Sequence, residues 1–131
     1  MAKILFVEDE ESLQIILPTI LTKNGHTVTT TCNGVEALDE LRVQSFDILI
    51  TDLRMPKMDG RDLIFAMRML PKMENIPVIV MSGEFDDVQV DEIMDGENIY
   101  FLKKPFRTAI LVDMVKEVCT GIGFDKEIKT S

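Results

Sequence analysis

Five short, strand-like runs alternate with amphipathic stretches along this chain, and that alternation limits its fold more than any other feature. The runs cover residues 3–7 (KILFV), 26–32 (HTVTTTC), 46–51 (FDILIT), 76–82 (IPVIVMS) and 99–102 (IYFL). They are the length of strands and rich in β-branched and apolar residues. Between them, apolar residues recur at helical spacing. Leu13, Ile16, Leu17, Ile20 and Leu21 form the first set, with Pro18 inside it and Asn24-Gly25 closing it. Pro18 lacks a backbone donor and predicts a kink or shifted ends. Asn33 is placed to cap a second helix with Val35, Leu38 and Leu41 inward. Leu63, Ile64 and Met67 mark a third over 60–70, and Val90, Ile93 and Met94 a weaker fourth over 86–94. Ile110, Leu111, Met114, Val115, Val118 and Cys119 mark a fifth from Thr108, ended by Gly121 and Gly123. Strands alternating with helices imply a parallel sheet covered on both faces by right-handed crossovers. The near-continuous apolar runs fit strands buried on both sides. The class is α/β, a doubly wound five-stranded parallel sheet with five helices on two faces.

At 131 residues the chain fits a single domain, 1–131, with a core over about 3–120 and a short polar tail over about 121–131. The 23 acidic residues outweigh 14 basic ones, for a formal charge of -9. That balance opposes binding to nucleic acid or anionic membrane. Cys32 and Cys119 stand far apart in no metal-ligand spacing and read as buried or half-buried thiols of a reducing cytoplasm. The N-terminal apolar run is too short for a signal peptide, and no run reaches membrane-span length. The expected location is cytoplasmic, and the expected state a monomer.

The stretch DILITDLRMPKMDG, residues 47–60, ends an apolar strand on a carboxylate, Asp52. A charge at the end of a core strand is costly unless paired. In an open parallel sheet, ligands bind beyond the carboxyl ends of the strands. There the sequence places Glu8-Asp9-Glu10 after the first strand, Asp52 after the third, Ser82-Gly83 after the fourth and Lys103-Lys104-Pro105 after the fifth. Converging carboxylates repel, and a hard divalent cation such as Mg²⁺, or Mn²⁺ in its place, removes the conflict. A lysine and a hydroxyl at the same rim suit a phosphoryl group. Acids, Mg²⁺, hydroxyl and ammonium around one carboxylate suit phosphoryl transfer to that carboxylate.

The ordered set VEDE, TDLRMPKMDG, MSG and KKPF, each following its strand, resembles the receiver domain of two-component response regulators, over residues 3–119. The resemblance implies a flavodoxin-like sheet of strand order 2-1-3-4-5. It implies that Asp52 accepts a phosphoryl group from a histidine kinase or histidine phosphotransfer protein, and that Asp9 ligates Mg²⁺ directly. Glu8 would act on the metal through water, and the Arg54 backbone carbonyl would complete the protein's ligands. Lys104 would bind the phosphate across a cis bond to Pro105, and the Ser82 hydroxyl would follow the phosphoryl oxygen. Phe101 holds the aromatic switch position, with Tyr100 one residue off on the opposite face. Arg54 and Glu84 would tune the lifetime of the phosphorylated state. The family signals through the face formed by its fourth helix, fifth strand and fifth helix, which a downstream protein reads. Such a chain is no enzyme beyond its own phosphorylation and dephosphorylation.

Two departures from the family pattern matter. The acidic pair is Glu8-Asp9 where the family more often has two aspartates, and Phe101 has no hydroxyl to offer a partner. Glu10, Lys103 and His26 read as ordinary solvated or turn residues. An interaction module with a decayed site would retain the fold without the intact set of Asp9, Asp52, Ser82 and Lys104. A haloacid-dehalogenase phosphatase needs a second acid where Arg54 stands. An EF-hand fails because Gly60 sits at the wrong offset.

Overall fold

The computed structural model describes residues 1–83 and 98–120. Within them lie β1 (Lys3–Val7), α1 (Glu11–Lys23), β2 (Thr27–Thr31), α2 (Gly34–Val43), β3 (Ile48–Asp52), α3 (Gly60–Arg68), β4 (Val78–Ser82), β5 (Ile99–Lys103) and a last helix, α4 (Thr108–Thr120). The helix expected over 86–94, the residue Glu84 and the tail lie outside the described residues. All four strand pairings are parallel, and the order is β2-β1-β3-β4-β5. The sheet is the doubly wound, flavodoxin-like one.

The alternation of side chains across the strands divides the core in two. Leu5, Val7, Leu49, Val78, Val80, Ile99 and Phe101 face α2 and α3. Ile4, Phe6, Ile48, Ile50, Ile79, Met81 and Leu102 face α1 and α4. The central strands β1, β3 and β4 are buried almost throughout, whereas β2, at an edge, is half-exposed. Tyr100 packs with the second layer and Phe101 with the first, as a period of two requires.

Local chemistry sets the helix ends. The Asn33 side chain accepts from the Glu36 N–H at 2.9 Å and caps α2. Asp59 does the same for α3, accepting from the Asp62 N–H at 3.0 Å. Helix α1 runs through Pro18, with Leu17 and Leu21 buried in the core. Two expectations change. Val35 is exposed, and Ala37 takes the inward place beside Leu38 and Leu41. Cys119 is exposed, while Cys32 is half-buried.

Candidate functional site

Strands β1, β3, β4 and β5 present their carboxyl ends at one rim. In the register of β1 with β3, Val7 lies beside Thr51, so the residues that follow, Glu8 and Asp52, come side by side at that rim. Beyond β4 and β5 the pairing continues for one more bond, the Lys104 N–H donating to the Ser82 carbonyl at 2.8 Å. That bond sets the start of the loop from which Lys104 reaches back over the sheet. The Lys104–Pro105 peptide is cis.

Glu8, Asp9 and Asp52 each bring one carboxylate oxygen within 4.8 Å of the others. Lys104 Nζ donates to Glu8 Oε1 and Oε2 at 2.9 and 3.2 Å, and to Asp52 Oδ2 at 3.3 Å. The second Asp52 oxygen, Oδ1, accepts from the Leu53 N–H at 3.0 Å. Glu8 is fully buried, Asp52 nearly so, and Asp9 is exposed. Asp52, Arg54, Ser82, Gly83 and Lys104 line a cleft of about 230 Å³. Beside it, a mainly apolar groove of about 470 Å³ runs between α1 and the loop into α4, past Leu13, Ile16, Pro105 and Phe106.

Burial controls the electrostatics. It pushes the Glu8 carboxyl up from 4.5 to about 7, and the Asp52 charge adds to that against the pull of Lys104. Asp52 is raised for the same first reason, with Lys104 again opposing. Burial alone would lower Lys104, but its contacts with Glu8 and Asp52 outweigh it and leave the ammonium raised. The single ammonium therefore holds together two acids that resist ionising.

The donor set fits the cation that such a rim invites. It offers carboxylate oxygens from three residues, two of them destabilised as anions by burial, with neither histidine nor cysteine among them. Hard oxygen donors of this kind suit Mg²⁺.

Gly60 holds the far end of the loop. A Cβ there would stand 2.5 Å from the Asp52 carbonyl oxygen, so only glycine permits the approach. The Gly60 N–H donates to the Leu53 carbonyl at 2.7 Å, and the loop closes on the end of β3.

A parallel open sheet with an acid-and-lysine rim at its carboxyl edge defines the class of protein. The response regulator receiver domain family matches residues 4–116, and the chain belongs to it. It is 33% identical over 117 residues to sporulation initiation phosphotransferase F of Bacillus subtilis, an alignment covering 88% of this chain and 91% of that one. It is 31% identical to the chemotaxis protein CheY of Pseudomonas aeruginosa, over 88% of this chain and 94% of that one. Among solved structures it superposes with a TM-score of 0.81 on the receiver domain of a Pseudomonas aeruginosa sensor histidine kinase crystallised with a magnesium ion in its active-site cleft. That pair is 25% identical and covers 91% of this chain and 98% of the other.

The structure brings Glu8, Asp9, Asp52, Arg54, Ser82 and Lys104 to one rim. Phe101 lies below, fully buried, its register partner Val80 two residues before Ser82. The direct Lys104–Glu8 ion pair is absent from the sequence reading, which gave one residue to phosphate and the other to metal. The strands they follow, β1 and β5, are separated in the sheet by β3 and β4, so no local pattern signals the contact.

Proposed function

We propose that the chain is a phosphorylation-dependent receiver whose phosphoacceptor is Asp52. One observation carries the reading: Asp52 sits among Glu8, Asp9 and Lys104 at the end of a central strand, beside a cleft wide enough for a phosphoryl group. An Asp52 carboxylate oxygen attacks the phosphorus of a phosphohistidine. The O–P bond forms as the N–P bond breaks, and the imidazole leaves with the electron pair. Asp9 and Asp52 would ligate Mg²⁺ with the Arg54 carbonyl, and Glu8 would act through water. The cation supplies charge neutralisation for the incoming phosphoryl oxygens. Lys104 is close enough to shift from the carboxylates to the new anion, and Ser82, which also lines the cleft, would bring its hydroxyl to the same group.

The donor is a histidine kinase or histidine phosphotransfer protein. The apolar groove shares Gly83 and Lys104 with the cleft, so a protein presenting its histidine to Asp52 would also cover the groove. The output is a downstream protein that reads the β5 side of the molecule. Phe101 already occupies the inward position, so phosphorylation would stabilise that placement rather than create it. Arg54, exposed at the cleft, shields the phosphoryl group and slows its hydrolysis. Beyond loading and losing its own phosphoryl group the chain is no enzyme.

The test is intact mass after incubation with acetyl phosphate, with and without Mg²⁺, for wild type and Asp52→Asn. A Mg²⁺-dependent phosphoryl adduct lost in the variant is the expected result. No adduct on folded wild type overturns the proposal.

A further inference from the structure

The first turn of α2 lies against the loop that leaves the phosphoacceptor strand, and the contact has no slack. Gly34, the first residue of the helix, is buried. A Cβ on it would stand 2.6 Å from the Met58 carbonyl oxygen, 2.8 Å from Met58 Cβ and 2.9 Å from Met58 Cγ. All three distances are shorter than real Cβ contacts, and one is to backbone.

Neither side of the contact is free to move away. The Asn33 cap and the buried residues Ala37, Leu38 and Leu41 fix α2. On the loop, Lys57 takes a left-handed conformation at φ 68°, and the Met58 N–H donates to the Pro56 carbonyl at 2.8 Å. Asp59 is tied to α3 as its cap, and Gly60 is tied to Asp52 and Leu53. The loop from 53 to 60 is therefore held at both ends by its own bonds and in the middle by α2. A charge contact runs the same way: Glu36, in the first turn of α2, is held low first by its hydrogen bonds with Cys32 and also by the Lys57 charge across the gap.

We propose that Gly34 is a positioning residue for the metal and phosphoryl site. Its missing side chain lets α2 seat against Met58 and brace the loop that carries Arg54 away from Asp52. This rests on the reading of Asp52 as the phosphoacceptor. It adds a determinant outside the rim, on a helix with no residue in the cleft.

By helix propensity alone, alanine at this position would favour α2, so a loss of function in Gly34→Ala would run against the local preference. The experiment measures Mg²⁺ affinity by calorimetry and the loading rate from acetyl phosphate, for wild type, Gly34→Ala, Met58→Gly and the double variant, each checked for fold by circular dichroism. The expected result is a Mg²⁺ Kd at least about five-fold weaker and loading at least about five-fold slower in Gly34→Ala. The effect should be less than half as large, on a logarithmic scale, in the Met58→Gly background, where two of the three short contacts are gone.

Wild-type Mg²⁺ affinity in a folded Gly34→Ala overturns the proposal. An equal penalty in both backgrounds also overturns it, because the effect then does not run through Met58. Should Gly34→Ala fail to fold, Met58→Gly alone decides: the brace weakened from the loop side gives a Mg²⁺ Kd about two-fold weaker, and an unchanged Kd overturns the claim. If wild type takes up no phosphoryl group, the receiver chemistry fails, and the Mg²⁺ affinities still decide the role of Gly34.

Discussion

At the scale of residues, Glu8 carries the largest conflict. Its carboxyl is fully buried and raised to about 7. An acid raised in the folded state favours folding while it stays protonated. Its contribution is fully present below its unfolded value near 4.5 and is lost as pH rises through about 7. Asp52 shifts in the same direction. Without divalent cations, the melting temperature should therefore fall as pH climbs through that window. Glu8→Gln, neutral at every pH, should flatten the fall by about 5 °C, the size expected of a shift of one to two kcal/mol in a domain of this length. Melting curves of both proteins across the window check this. Parallel pH profiles would mean that Glu8 does not titrate in the fold. The conflict has a use at such a rim, since acids that resist ionising alone gain most from a cation.

At the scale of elements, the loops that end on caps and short contacts place the site, and two predictions belong there. Asn33→Ala removes the α2 cap and should cost about 1 kcal/mol of stability by chemical denaturation; an unchanged midpoint would mean that water replaces the cap without loss. Ile16 is 49% exposed on α1 and lines the apolar groove. Ile16→Asp should leave loading from acetyl phosphate unchanged and slow transfer from a phosphorylated donor protein at least about ten-fold, a loss of 1.4 kcal/mol or more. Equal transfer rates would remove the groove from the docking surface. The elements were legible in the sequence because strand burial and helix periodicity are local patterns. β1 and the start of α4 fall where the apolar pattern puts them, and Asn33 caps as its residue type suggests. The meeting of Asp9, Asp52 and Lys104 at one rim was legible because each stands at or just beyond the carboxyl end of a strand. What the sequence withheld depends on which side chains meet across the sheet. Val35 faces solvent, and Lys104 bonds Glu8 across two intervening strands. The contact of Gly34 with Met58 is likewise set by how α2 lies against a loop, which periodicity does not encode.

At the scale of the whole molecule, the chain is acidic, with a formal charge of -9, and among the described residues it gathers the carboxylates of Glu8, Asp9 and Asp52 at one rim with Lys104. Among the described residues, no helix is long and apolar enough to cross a membrane. A cation bound at that rim acts on the global stability, because the strands that supply its ligands, β1 and β3, lie side by side at the centre of the sheet. A ligand that binds only the folded state stabilises it by RT ln(1 + [L]/Kd), about 2.7 kcal/mol at one hundred times Kd. Adding Mg²⁺ should therefore raise the melting temperature by about 5–10 °C at such a concentration. The gain should grow as pH rises toward about 7, since the cation binds the ionised acids and Glu8 becomes ionised there. Asp9→Asn removes a carboxylate that is exposed and makes no ion pair with Lys104. It should leave the metal-free melting temperature nearly unchanged and abolish most of the Mg²⁺ gain. Calorimetric melts with and without Mg²⁺ at two pH values separate the outcomes. A gain that persists in Asp9→Asn would place the cation elsewhere on the acidic surface. A gain of the same size for a monovalent salt at equal ionic strength would reduce it to screening of the net charge.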